Sequence, residues 1–423
     1  MVRERIMKFI NVILAITFLF RLKLGFSADK CGELKTPKDI LDCAMENHPD
    51  LIRGRRAVHQ SELFKEEAGQ IPNPEIEFKA TYGKSEGDQI SNNELDLPFT
   101  IETGGKRSSR IGNALAEKDQ VSSEFLKTKE EVYIFVLKTL HRIRQIRSEL
   151  KILEESLETF SKIQRQYGTR PRLGPEHEVS LNVFQLAEGD YKLRKSFLET
   201  EETRLEKRMT IALGMEFPHN DSVLLGRIEK WPIYLIKDRL LKGSDFKISE
   251  AELKVAQSNL ELEKSESWPD LKIGPTIQSI SEGPLDWKTY GINLSIALPI
   301  FNVNAGGRAV AKAGLMKAEK SFELRKIELN QFRNILITQY QKTVKSLEES
   351  VSLSGLEIKH KSIERQFSRG LIPSTLVIEA HRQMVDFTTS QNEQELLALE
   401  ALLRLRVLDG TIFEENFNLL EKK

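Results

Sequence analysis

The sequence predicts a mainly α protein with a small membrane-crossing β component: long helical hairpins attached to four strands per chain. Three observations carry this. From Ser108 to about Gln166, and again from about Ala309 to Phe367, there is no proline, little glycine, and apolar residues recur at three and four, as in long amphipathic helices. Ahead of each stretch the residues alternate in the period of a strand with one apolar face. The whole order then occurs twice, with landmarks about 200 residues apart, the mark of an internal repeat.

Residues 1–28 read as a signal peptide. Arg3, Arg5 and Lys8 precede an apolar core from Phe9 to Phe20, and Gly25-Phe26-Ser27-Ala28 offers small residues for cleavage. The exported chain is 30% charged with a formal net charge of zero, so no field recruits nucleic acid. Aromatics make up only 7%. Abundant Glu, Lys, Leu, Arg and Ala suit long helices and coiled coils. No later run is long and apolar enough for a membrane-spanning helix, so any further crossing must use strands. Cys31 and Cys43 lie near the mature start, where an oxidising compartment permits a local disulfide.

The first unit occupies residues 29–214. Ile40, Leu41, Ala44 and Met45 mark a short helix, Pro49 to Gln70 a longer one, and Pro72 and Pro74 stop it. A strand follows with Ile76, Phe78, Ala80 and Tyr82 on one face, then a polar loop from Gly83 to Asn93. The next strand carries Leu95, Leu97, Phe99 and Ile101, includes Pro98, and ends at a Gly104-Gly105 joint into the long helix. A tip around Gly168 turns the chain into a helix that ends near Leu213.

A connector spans 215–245, and the second unit, 246–410, repeats the order. A helix from about Ile248 to Ser267 stops at Trp268-Pro269-Asp270. A strand with Leu271, Ile273 and Ile277 turns at Glu282-Gly283-Pro284, and the strand from Ile292 to Ile300 leads through Pro299 and Gly306-Gly307-Arg308 into the long helix. The tip is Phe367 to Ser374, the last helix reaches about Val407, and 411–423 form a tail. Pro74 and Pro269 lie 195 positions apart, Pro98 and Pro299 201, Gly105 and Gly306 201, and Gly168 and Gly370 202. Helices of ~60 residues span ~90 Å at ~1.5 Å per residue, so they must pair along their length.

Four strands cannot close a membrane barrel, which needs at least about eight. An open sheet in lipid leaves costly unpaired backbone groups. The chain must therefore oligomerise, and three copies supply twelve strands.

Across nearly the whole mature chain this pattern resembles the TolC-like outer-membrane efflux proteins. The carrying motifs are Leu298-Pro299-Ile300-Phe301 with Gly306-Gly307-Arg308, Leu97-Pro98-Phe99 with Gly104-Gly105-Lys106-Arg107, and the two helical tips. The resemblance implies a homotrimer with a twelve-stranded barrel among outer-membrane lipid, continued by a helical tunnel into the periplasm. It also implies two partners, a periplasmic adaptor and an inner-membrane pump of RND or ABC type. Adaptor docking then falls on Arg369, Gly370 and Leu371, with Gly168 at the first tip. The gate falls on Leu376 and Glu379, an apolar ring beside an acidic one. The resemblance also offers lipidation of Cys31 as an alternative to a Cys31–Cys43 disulfide.

Histidines 48, 59, 141, 177, 219, 360 and 381 are scattered, with no His or Cys pair at metal-ligand spacing. Nucleotide loops, nucleophile elbows and zinc-protease motifs are missing. Glu75, Glu77, Lys79, Glu94, Asp96 and Glu102 fall on the strand face opposite the apolar one, where they would line a water-filled lumen. No catalytic residue, cofactor or resident metal is expected. The reading is a passive exit duct for small molecules such as drugs or metal ions. A protein-secretion outlet of the same fold and a periplasmic coiled-coil structural protein are the rivals.

Overall fold

A computed structural model describes residues 31–85, 88–168, 175–234, 241–351, 353–369 and 371–414; the segment expected to be a signal peptide, 1–28, lies outside them. Helices α1 (Pro37–Asn47) and α2 (Pro49–Ala68) precede strands β1 (Glu77–Ser85), β2 (Asp88–Asp96) and β3 (Phe99–Ile101). Then come α3 (Lys106–Gly168), α4 (Pro175–Leu213), α5 (Ser244–Ser265), strands β4 (Leu271–Glu282) and β5 (Leu285–Ile296), and helices α6 (Ala305–Glu349), α7 (Leu353–Ser368) and α8 (Ser374–Asp409).

The 63 residues of α3 make one helix, on the order of 95 Å long at ~1.5 Å per residue. It is the spine of the chain, packing against α1, α2, α4, α5 and α8. The other long rod is α6 followed by α7; α6 lies against α5 and α8, and α7 against α8. The seam of α3 buries Val132, Val136, Leu140, Ile143, Leu153 and Phe160, where they meet Leu399 and Leu403 of α8 and Phe184, Tyr191 and Leu198 of α4. The spacing of these residues keeps one stripe of the helix turned inward.

At the middle of the rods, α1 and the segment around Phe217, Val223, Leu224 and Leu225 join the same core. Thr36 caps α1, accepting from Asp39 N while Asp39 Oδ2 accepts from Thr36 N. Cys31 and Cys43 are disulfide-bonded, with Cα atoms 5.5 Å apart. A Cys31→Ser, Cys43→Ser chain is expected to lose about 2–3 kcal/mol of stability, read as a lower midpoint in urea by helical circular dichroism.

The sheet is antiparallel throughout. One edge of β4 pairs with β2 and then β3, its other edge with β5, and β1 pairs with β2. Since β2 and β3 lie in line along β4, they act as one strand broken at Leu97-Pro98. Proline has no N–H for the ladder there, and its carbonyl instead accepts from Glu75 N at 3.1 Å. Among the described residues β1 and β5 have only one partner each, so both outer edges are open.

Four local expectations are corrected. The segment read as a polar loop, Gly83–Asn93, is mostly strand, with β1 running to Ser85 and β2 starting at Asp88. Its polar residues sit on paired backbone that no apolar alternation announces. The last strand begins earlier and ends earlier than Ile292–Ile300, spanning Leu285–Ile296. Pro299 therefore lies beyond it, in an irregular crossing. The long second helix is interrupted after Glu349, where Ser350 is extended at φ −76°, ψ 158°. The run Ser350-Val351 offers poor helix formers, and Gln391 Nε2 bonds to Ser350 Oγ at 3.4 Å.

The fourth concerns the joints. Gly104 and Gly105 do make the first one, at φ 63° and 75°. Gly306 and Gly307, by contrast, already lie in the first turn of α6, and the left-handed residue is Asn304 at φ 52°. Asn tolerates that conformation because its short side chain bonds locally. Here Asn304 Nδ2 reaches Glu263 Oε2 at 2.7 Å and Glu263 O at 3.0 Å. A Cβ on Gly307 would lie 2.1 Å from Glu263 Oε2, so this glycine serves close approach rather than a turn.

Candidate functional site: the strand face and the helical tips

Register carries the alternation of single strands into continuous rows. Phe78 faces Leu95, Leu95 faces Ile277, and Ile277 faces Tyr290. The rows Phe99–Ile273–Leu294 and Ile101–Leu271–Ile296 lie on the same face. From Tyr290 to Ile296 the band is about 20 Å tall at ~3.3 Å per residue, near the ~25 Å apolar band of outer-membrane barrels. Phe78, Tyr290, Ile292 and Leu294 are 63–77% exposed. A contiguous apolar face of this kind needs cover.

The opposite face carries rows such as Lys79–Glu94–Gln278–Thr289. Glu77 and Asp96 are paired in register there, and Glu75 bonds Lys272 at 2.6 Å. Glu102 belongs to the joint instead, in an ion pair with Arg110. The joint is laced across the two halves. Lys106 Nζ meets Asp270 Oδ1 at 2.9 Å, Thr103 Oγ1 donates to Pro269 O, and Gly104 lies against Trp268.

Among the tip residues, Gly168 ends α3 and Arg369 follows α7, while Gly370 lies outside the described residues. Leu371 is 68% exposed, and its N–H donates to Gln366 O at 3.0 Å. Leu376 and Glu379 lie one turn apart on α8, and Leu376 is half exposed. Glu379 is in an ion pair with Arg382 at 2.7 Å and accepts from Gln383 Nε2 at 2.8 Å. The Arg382 guanidinium holds its carboxyl below the usual carboxylate range.

Behind the exposed faces lies a buried polar network that the sequence reading missed. Glu395 of α8 accepts from Arg144 Nη2 at 2.8 Å and lies 3.5 Å from His141 Nε2, both on α3. Gln145 Nε2 donates to Asn392 O at 2.8 Å, and Asn392 Nδ2 to Glu149 Oε1 at 2.7 Å. Arg142 spans Glu149 and Glu201, joining α3 to α4. Burial pushes the Glu395 carboxyl up. The His141 hydrogen bond and the Arg144 charge outweigh it and hold the group at about 2.

The histidines also require correction. His360 of α7 and His381 of α8, read as isolated, face each other with ring centroids 4.2 Å apart, and Glu364 completes a three-residue cluster. The signal was present. His360 and Glu364 are four apart on one helix face, and His360 and His381 stand ten and eleven positions either side of Gly370.

Neither a protein-family model nor a curated protein sequence matches the chain. Solved structures do match. The open-state Neisseria gonorrhoeae MtrE outer membrane channel aligns with a TM-score of 0.69 at 14% identity, over 89% of this chain and 90% of that one. The outer membrane protein VceC of Vibrio cholerae aligns at 0.65 and 14%, over 89% and 97%. CusC, described with its folding and transmembrane channel formation, aligns at 0.62 and 14%, over 96% of both chains. This is the fold of TolC-like outer-membrane channels. In the TolC-like fold of this chain, the open-edged sheet stands at one end of the long rods, and the tips bearing Gly168 and Leu371 stand at the other. Among the described residues no helix is long and apolar enough to cross a membrane.

Proposed function

We propose that this chain is the outer-membrane exit duct of a tripartite efflux system, a homotrimer that conducts small molecules passively from a periplasmic adaptor and an inner-membrane pump to the exterior. The observation that carries the reading is the four-stranded sheet with two open edges and one exposed apolar face. Placed in lipid alone, β1 and β5 would leave unpaired backbone groups that cost several kcal/mol each. Pairing β5 of one copy with β1 of the next removes every edge, and three copies make a barrel of twelve strands. The near-constant spacing of the landmarks supports origin by internal duplication. Cargo follows from the partners, and transport energy with it.

The tips serve as the adaptor contact through Arg369, Gly370, Leu371 and Gly168, and Leu376 and Glu379 form the gate. Because Arg382 neutralises Glu379, closure rests more on the leucine ring than on repelling carboxylates. The deciding experiment is single-channel recording of the purified detergent-solubilised protein in planar bilayers, paired with its mass. A trimer with small gated openings is expected. A monomer that needs no detergent and conducts nothing would overturn the barrel. In cells, Gly370→Glu is expected to abolish export while trimers persist; normal export in that variant would refute the docking assignment.

A further inference from the structure

We propose that His360, Glu364 and His381 form a binding site for one divalent transition-metal ion of the zinc class, linking helices α7 and α8. The coordinating atoms are already gathered. His360 Nε2 and His381 Nε2 are 3.3 Å apart, His381 Nε2 and Glu364 Oε1 3.3 Å, and His360 Nε2 and Glu364 Oε1 3.9 Å. Ligand atoms about 2.0–2.1 Å from a tetrahedral zinc ion stand roughly 3.3 Å from one another, so a small closing movement of Glu364 completes three positions. Both histidines are buried, whereas Glu364 is half-buried and leaves its side open for a fourth ligand from solvent.

The surroundings set the donor atoms. Ser156 of α3 donates its hydroxyl proton to Ile152 O at 2.8 Å, so its oxygen accepts from His381 Nδ1 at 2.8 Å. That chain engages Nδ1 of His381 and leaves Nε2, which faces Glu364 and His360, as the nitrogen that ligates a metal. Metal-ligating histidines are oriented in the same way, the second ring nitrogen donating to a fixed acceptor. Thr159 donates to Glu364 Oε1 at 3.3 Å, and Phe160 packs edge-on against His381.

Three ligating atoms converge on one point. His360 Nε2 lies 3.2 and 3.3 Å from the two ring nitrogens of His381, and His381 Nε2 lies 3.3 Å from Glu364 Oε1. A shared metal ion coordinates all three at once, displacing the proton that otherwise links His381 to Glu364. Imidazole nitrogens with a single carboxylate favour zinc-like ions over magnesium or calcium, which take oxygen ligands.

The test is calorimetric titration of Zn²⁺ into the full-length, chelator-treated protein in detergent. One ion per chain is expected. His360→Ala and His381→Ala should each weaken binding at least about 100-fold, and Ser156→Ala, which releases the orienting hydrogen bond, about 10–100-fold. His59→Ala, on the exposed face of α2, should bind as the unaltered chain does. Cobalt(II) provides a second readout: strong visible bands of a four-coordinate ion in the native protein, altered in Glu364→Gln, a rim substitution that leaves the core intact. Absence of stoichiometric Zn²⁺ binding, equal binding by all variants, or only the weak spectrum of six-coordinate cobalt would each overturn the site. None of these readouts requires the protein to conduct.

Discussion

Glu395→Ala is expected to cost about 3 kcal/mol of stability, because it leaves the part-buried Arg144 guanidinium and the buried His141 and Gln145 side chains without their carboxylate partner. Urea titration followed by helical circular dichroism measures this, and a loss below about 1 kcal/mol would mean that the network is spectator to the fold. The same group predicts a pH dependence. Its carboxyl ionises near 2 in the folded chain against an ordinary 4.5. A depressed carboxyl contributes stability that is complete above the unfolded value and disappears as pH falls through the folded one. The native protein should therefore lose on the order of 3 kcal/mol between about pH 5 and pH 2 from this group. Glu395→Gln should be less stable at pH 7 and flatter across that acid window, since it has no proton to gain. Arg142, Glu149 and Glu201 extend the network into α4, so Glu395 holds together helices that would otherwise slide along an apolar seam.

Gly274→Val is expected to abolish conductance while leaving most helical signal in place. A Cβ at Gly274 would stand 2.0 Å from Leu97 O and 2.6 Å from Leu97 C. Both obstacles are backbone, held where Leu97 N donates to Pro275 O at 3.1 Å. Relief requires β2 and β3 to leave β4, which separates the two hairpins of the sheet. The helices pack through their own seam and do not depend on that contact. Gly83→Ala is the matched control, since its added Cβ meets nothing within 4 Å. Bilayer recording and the electrophoretic mass before and after heating would read both variants. A conducting Gly274→Val trimer would place the strand join outside the barrel.

The sequence by itself determined the helix periods, the alternating strands, the order of elements and the positions of both tips. These are local properties: a period of 3.6 or 2 is written in consecutive residues, and proline and glycine act where they stand. The proposal of further copies likewise starts from counting strands. Where the polar rather than the apolar residues formed the structure, local reading ran short. Strand continued through Gly83–Ser85 and Asp88–Asn93 because backbone bonds to a neighbour stabilise it regardless of side-chain polarity. The helix broke at Ser350 although the apolar pattern ran on.

The tertiary structure alone decided which charges were buried and which partners they met. His141, Glu149 and Glu395 look like ordinary residues of solvated helices until α3 and α8 are laid side by side. His360 and His381 meet only because the tip folds α7 back on α8, and Ser156 orients His381 only because α3 passes behind them. The same is true of Gly274, whose missing side chain matters for a carbonyl 177 positions away in the chain. Pairings across that distance depend on register between rods ~90 Å long, and no period within one rod records the register of its neighbour.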